Sequence, residues 1–340
     1  MSKVISNSRS TAIIGMDKNV GKTTVLNYIL SKTKGSDVLG LTSIGRDGES
    51  VDRVTHTPKP KIYVKKDTIL ATAKICMFQS DITKEILEST GINTPMGNIV
   101  FIRSKSDGYI DLAGPSTTSQ MKEIVSKLKE YKADQIYVDG AISRMTQCSP
   151  AIVDSAVLCT GAVLGNNIKT VVEKTAHVVK MLSLPRHELS DDLGKLELLL
   201  SHRAVIIAND QSKVFLEAQT STEVAEKIDS FLDDKVETIY IKGVLSEDLS
   251  KKLLSKKHKN KAIDVVVEDG TKIFIGVDVY NQMKRHSINI YVQYPINLKE
   301  LYYNPTSPTG ASLDDEDLRK ALQESTGLNA INVFGRDSYV

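Results

Sequence analysis

IIGMDKNVGKTT, residues 13–24, decides how the rest of this chain is read. An apolar run enters Gly15, five residues separate it from Gly21, and Lys22, Thr23 and Thr24 follow. A phosphate cradle needs these parts: glycines that let successive backbone N–H groups converge on an anion, a lysine that reaches the β- and γ-phosphates, a hydroxyl for Mg²⁺, and a helix whose N-terminus faces the charge. The usual loop of this kind places four residues between its first glycine and the Gly-Lys pair, so one is extra here. The flanks supply the context that the motif requires. TAIIGM (11–16) reads as a buried strand, and KTTVLNYILSK (22–32) carries apolar residues at helical spacing. The candidate nucleotide-binding set is Gly15, Asp17, Lys18, Asn19, Val20, Gly21, Lys22, Thr23 and Thr24, with Lys22 on the phosphates and Thr23 on Mg²⁺.

Outward from this loop, strands alternate with helices. DVLGLTSI (37–44) is a second buried strand, KIYVKKDTILATAK (61–74) a hairpin turning at Lys65, Lys66 and Asp67, and DITKEILEST (81–90) a helix opening on an Asp N-cap. GNIVFIRS and YIDLAG read as strands, TTSQMKEIVSKLKEY as a helix, DQIYVDG and SAVLCTGA as strands, and NNIKTVVEKTAHVVKML as a helix. Such alternation predicts an α/β chain with a mostly parallel sheet and helices on both faces. Beyond about residue 185 come a polar helical stretch (184–202), a strand RAVIIAND (203–210), further βα units, and a closing helix near LDDEDLRKALQEST (313–326). Two domains are expected: a nucleotide-binding domain over 1–212 and a smaller α/β domain over 213–340 that serves for docking, since it offers no catalytic constellation.

Composition narrows the partners. The chain has 340 residues, 41% hydrophobic and 25% charged, the profile of an ordinary globular protein. Lys+Arg of 44 against Asp+Glu of 42 leaves a formal charge of +2, so no global field points to nucleic acid or to an anionic membrane. Cys76, Cys148 and Cys159 are scattered without a CxxC pair, which argues against a disulfide framework or a zinc knot. The first ten residues, MSKVISNSRS, have no apolar h-region, and no apolar run approaches the roughly 18 residues of a membrane span. A cytoplasmic location is expected. His56, His177, His187, His202, His258 and His286 show no metal-binding spacing, and SKKLLSKKHKNK (250–261) reads as a solvated helix end.

Two loops stand where a substrate or a switch would sit. GLTSIGRDGE (40–49) sets Arg46, Asp47 and Glu49 beside Gly45 and Gly48, where glycines permit movement and charges respond to a nucleotide; Asp47 is a candidate for γ-phosphate and metal. KSDGYIDLAGPSTTSQ (105–120) brings Asp107, Gly114, Pro115 and Ser116 toward the expected strand ends.

The five-residue spacing, with Asp17 inside it, resembles the dethiobiotin synthetase and cobyric acid synthase branch of P-loop proteins. QIYVDGAIS (135–143) is similar to that branch's strand ending in Glu-Gly-Ala, with Asp139 in place of the Glu, and AVLCTGAVLGNNIKTVV (156–172) is similar to its Leu-Gly-x-Asn segment. The resemblance implies Mg²⁺ held at Asp139 directly or through water, as suits a carboxylate at a strand's C-terminal edge. It also implies an Asn near the nucleotide base at the end of the next strand, which VIIAND assigns to Asn209.

A closer likeness comes from GMDKNVGKTT (15–24), LGLTSIGRDGE (39–49), IYVKKDTILATAK (62–74), GINTPMG (91–97), DGYIDLAGPS (107–116), VDGAISR (138–144), SPAIVDSAVL (149–158) and YNPTSPTG (303–310). Together they resemble the smaller subunit of the reactivase family associated with lysine 5,6-aminomutase. That resemblance implies ATP and Mg²⁺ as cofactors, a larger MutS-like ATPase subunit and an adenosylcobalamin-dependent aminomutase as partners, with a homodimer left open. It further implies that nucleotide hydrolysis is coupled to exchange of damaged cobalamin, with Lys22, Asp47 and Asp139 as the working residues. No cobalamin-binding DxHxxG box is present, so the partner holds the cofactor on this reading. The rival is an ATP-dependent carboxylate or amide ligase of the dethiobiotin synthetase type. LTSIGRD, standing where that branch commonly carries a Lys-Pro pair, weighs against it.

Overall fold

The computed structural model describes residues 8–33, 35–44, 61–141, 149–195, 202–255, 262–308 and 310–334. The chain forms two compact units, Met1–Val178 together with Asn297–Val340, and Val179–Ile296.

The first unit opens with Ser10–Gly15 (β1), buried at every position as a central strand with two covered faces must be. Its start is pinned by Asp154, whose carboxylate accepts from the Ser10 N–H at 2.8 Å and the Ser10 hydroxyl at 2.9 Å. Lys22–Lys32 (α1) buries Val25, Leu26, Ile29 and Leu30, each worth about 1.5–3 kcal/mol when removed from water. Then follow Leu39–Ser43 (β2), Ile62–Val64 (β3), Ile69–Ala73 (β4), Lys74–Gln79 (α2), Lys84–Thr94 (β5), Gly97–Ser104 (β6), Gly108–Ile110 (β7), Thr118–Glu130 (α3), Gln135–Ala141 (β8), Ser155–Gly161 (β9) and Ile168–Leu182 (α4).

The second unit contains Ser190–Lys195 (α5), Ala204–Ala208 (β10), Lys213–Leu216 (β11), Ser221–Lys227 (α6), Val236–Ile241 (β12), Leu245–Ser246 (β13), Glu247–Ser255 (α7), Ile263–Val267 (β14), Ile273–Phe274 (β15), Val277–Arg285 (α8) and Ile288–Val292 (β16). The chain then returns to the first unit as Leu298–Asn304 (β17), Asp315–Thr326 (α9) and Ala330–Asn332 (β18).

Among the described residues the first unit's sheet runs β18-β17-β9-β1-β8-β2-β4-β6-β5. Its members are parallel from β18 to β4, and β6 and β5 continue antiparallel. The second unit has its own sheet, β11-β10-β12-β14-β16, over a separate apolar core that includes Ile206, Ile239, Val265 and Ile290. The mixed α/β class with a large, mostly parallel sheet is therefore as read from the sequence. Among the described residues no helix is long and apolar enough to cross a membrane.

Three sequence-based expectations change. DITKEILEST is largely strand, because β5 pairs with β6 in an antiparallel ladder and Asp81 accepts from the Tyr109 N–H at 2.5 Å instead of capping a helix. The Lys65–Asp67 turn exists, with Asp67 at φ 68° and the Thr68 N–H bonded to the Lys65 carbonyl, but its arms diverge. β3 pairs with β7, whereas β4 inserts between β2 and β6, so no hairpin forms. The division near residue 212 also moves: β10 pairs with β12 in the second sheet, and residues after 296 rejoin the first.

Candidate functional site

The carboxyl ends of β1, β8, β2 and β9 gather the chemistry of the first unit, the edge where open parallel sheets accept ligands. β1 ends in Gly15, flanked in register by Ala141 of β8 and Cys159 of β9. The Met16 N–H donates to the Cys159 carbonyl at 2.9 Å, which fixes how the chain leaves the strand. A side chain at Gly15 would come within 2.6 Å of Lys22 Cδ and 2.7 Å of Val20, so only hydrogen allows the lysine stem to fold across the loop. The Lys22 ammonium reaches back to the Asp17 carbonyl at 3.2 Å.

Asn19 at φ 60° and Gly21 at φ 85° take left-handed backbone, the pattern that turns successive N–H groups inward. Gly21 is the N-cap of α1. α1 lacks the side-chain cap that Thr117, Thr220 and Asp314 give α3, α6 and α9, and it lacks the first-turn acidic residue that α6, α8 and α9 carry. Its positive end is thus left to something other than this segment's side chains. Asp17 and Lys18 are exposed, Val20 is buried, and Thr23 and Thr24 are half-buried on the first turn. Asp17 also accepts from the Lys18 N–H at 2.6 Å.

Asp139 lies in one row with Ile13 of β1 and Ser43 of β2, and its carbonyl accepts from the Ile44 N–H at 3.1 Å. Lys22 and Asp139 both act on the Cys159 thiol, the first lowering and the second raising its pKa. Burial outweighs both and pushes that thiol up to about 12. The structure therefore brings Gly15, Lys22 and Asp139 around one strand edge. Asp47, with Arg46 and Glu49, lies outside the described residues, as does Cys148.

The second loop divides. Gly114 sits against the Ser43 carbonyl with no room for a side chain, so 111–116 crosses the end of β2 beside the row of Asp139. Asp107 is instead tied to β3, accepting from the Lys66 N–H at 2.8 Å and the Tyr63 hydroxyl at 3.3 Å.

Asn209 does not join the first unit's strand edge. It follows β10 in the turn to β11, its N–H bonded to the Lys235 carbonyl at 2.9 Å, and belongs to the second unit. The strand that takes the place beside β9 is β17, which ends in Asn304 opposite Gly161. Gly161 lies so close to the Asn304 carbonyl that a Cβ would not fit. Asn304 accepts from the Thr306 N–H at 3.0 Å and turns the chain into the 303–310 segment. Its signal in the sequence was the ending YYN, matched in kind by IIAND; sheet membership separates the two.

One residue that sequence reasoning did not find is Phe334, whose ring packs on Gly21. It follows β18, with Val333 buried in the same core as α1. Among the described residues no cluster of three or more His, Cys, Asp or Glu side chains forms a metal site. Comparison with family models, with curated proteins and with solved structures found no match to this chain.

Proposed function

We propose that the chain binds ATP at the Gly15–Thr24 loop of a P-loop NTPase-type domain, and that hydrolysis there drives reactivation of an adenosylcobalamin-dependent lysine 5,6-aminomutase or a related aminomutase. The observation that carries the nucleotide reading is the uncapped start of α1, with Gly21 left-handed and Lys22 folded over the loop. Phosphate oxygens would take the place of the missing cap. Lys22 would leave the Asp17 carbonyl for the β- and γ-phosphates.

Magnesium fits this donor set, because Thr23 offers a hydroxyl on the first turn and Asp139 a carboxylate on the adjacent strand. Mg²⁺ keeps several waters and shares substrate phosphates, so it needs few protein ligands. When bound, it would neutralise charge on the phosphates. Asn304 replaces Asn209 as the residue proposed to meet the base, since β17 is the strand beside β9.

The reactivase role rests on the likeness of segments spread from 15 to 158 and at 303–310. On that reading the larger MutS-like ATPase and the aminomutase are partners, and the nucleotide biases a surface that opens the client. The test is recovery of a suicide-inactivated aminomutase by this chain, the ATPase partner, Mg-ATP and fresh cofactor, with each component omitted in turn. Recovery that needs ATP and is lost in Lys22→Ala supports the proposal. Retained ATP binding without recovery refutes the reactivase role and directs a screen toward ligase substrates. Unchanged ATP affinity in Lys22→Ala refutes the loop itself.

A further inference from the structure

A cavity of about 490 Å³ runs along the flank of α1, a volume within the ordinary range for small-molecule pockets. Leu30, Leu39, Leu41 and Val333 supply apolar lining. At its opening stand Tyr63 and Tyr109, 41% and 46% exposed, packed edge to face with ring centroids 5.2 Å apart. Two large rings left this open present an amphipathic wall, the kind of surface that planar ligands use.

The wall is held by the backbone. The Asn27 amide donates to the Lys61 carbonyl at 3.1 Å and accepts from the Tyr63 N–H at 3.0 Å, so α1 carries β3 as a fixed partition. Among the described residues lining the cavity, Lys65 carries the only formal charge. A second cation is near, since Lys32 lies 5.8 Å from the centroid of the lining residue Tyr28. The opposing charge is Asp107, already engaged by the Tyr63 hydroxyl and the Lys66 N–H.

We propose that this cavity is a binding site for a small amphipathic anion, its planar or branched apolar body between the tyrosine pair and the leucine lining and its carboxylate or sulfonate at Lys65. The cavity meets the nucleotide loop at Thr24, which lines both, but the proposal rests on the tyrosine pair, the leucine lining and Lys65 and does not depend on the nucleotide reading. A lining that is mostly apolar gives affinity through the body of the ligand, and the single cation selects its charge.

The full chain is titrated with 1-anilinonaphthalene-8-sulfonate, which has this chemistry, and with N-phenyl-1-naphthylamine, the same body without the charge. One saturable site is expected for each. Lys65→Gln, on an exposed side chain, should weaken the sulfonate about tenfold and leave the neutral probe unchanged. Ser31→Trp fills the cavity and should abolish both, while among the described residues its own hydroxyl bonds back to the Tyr28 carbonyl, so the fold, checked by circular dichroism, should persist. Lys22→Ala should bind both probes as the native chain does. The proposal is overturned by absence of saturable binding, by binding that survives Ser31→Trp, by equal effects of Lys65→Gln on the two probes, or by one-for-one displacement with Mg-ATP.

Discussion

Gly21→Ala tests the contact on which the candidate site closes. At φ 85° and ψ 26° an alanine is forced into left-handed backbone, at a cost of about 1–2 kcal/mol. Its methyl carbon would also stand 2.7 Å from Phe334 Cε1 and 3.2 Å from Cε2. Cζ of the same ring is nearer still, and comfortable carbon contacts lie at about 3.5–4.0 Å, so the ring must retreat by about 1.5–2 Å or leave its seat. Overpacking of this sort costs about 1–3 kcal/mol. The single substitution should therefore destabilise by about 2–5 kcal/mol, and only by about 1–2 kcal/mol in a Phe334→Ala background. The difference is the coupling energy of a double-mutant cycle, which isolates the clash from the backbone term. Urea unfolding gives the four stabilities, with hydrogen exchange of α1 amides assigning the transition to the first unit. Equal losses in both backgrounds would refute a Phe334 ring seated on Gly21.

Asp139→Asn should raise the Mg²⁺ concentration needed for nucleotide binding while affinity measured without metal stays near that of the native chain; an unaltered magnesium titration removes Asp139 from the metal site. Asn304→Ala should reduce discrimination between ATP and GTP and Asn209→Ala should not, as read by competition binding; the opposite order would return the base to Asn209. Hydrogen bonds from Lys127 and then Tyr131 hold the Glu88 carboxyl below its ordinary value. That contribution is present above the unfolded pKa of about 4.3 and fades as pH falls through the lower folded value, so native and Glu88→Gln chains should differ near neutrality and converge in acid. A constant difference in unfolding midpoint across that range would contradict the pairing. Cys76 and Cys159 are both buried, and burial raises the Cys159 thiol to about 12, so neither should be alkylated by iodoacetamide before unfolding. Peptide mass mapping that finds Cys159 modified in the native chain would count against its place beneath the loop.

Local features of this fold were legible. The 13–24 stretch carries its own glycines, lysine and flanking patterns, and each central strand holds a short apolar run, so β1, β2, β8 and β9 can be read from residues adjacent in sequence. What failed depended on distant pairing. Residues 81–90 open like a helix on an Asp N-cap, yet β6 supplies an antiparallel neighbour to 84–94, and Thr90, Ile92 and Thr94 are β-branched residues suited to it. Likewise β17 was missed because its partner is β9, far back along the chain, and nothing within LKELYYN names that partner.

The assignment of the base to Asn209 rested on chain order. If chain order alone assigns the strand after α4, β10 is next and Asn209 inherits the base. Hydrogen-bond pairing assigns β17 instead, because the intervening unit builds a sheet and a core of its own. The second unit is thus an insertion that begins within the last turn of α4 and ends before β17, and a segment that interrupts a sheet without joining it leaves the order of sites along the strand edge intact. Gly15, Asp139, the 111–116 loop and Asn304 then belong to one edge although their sequence numbers do not suggest it. Phe334 extends the same logic to the last described residue, since β18 brings the chain back to the glycine at which α1 begins.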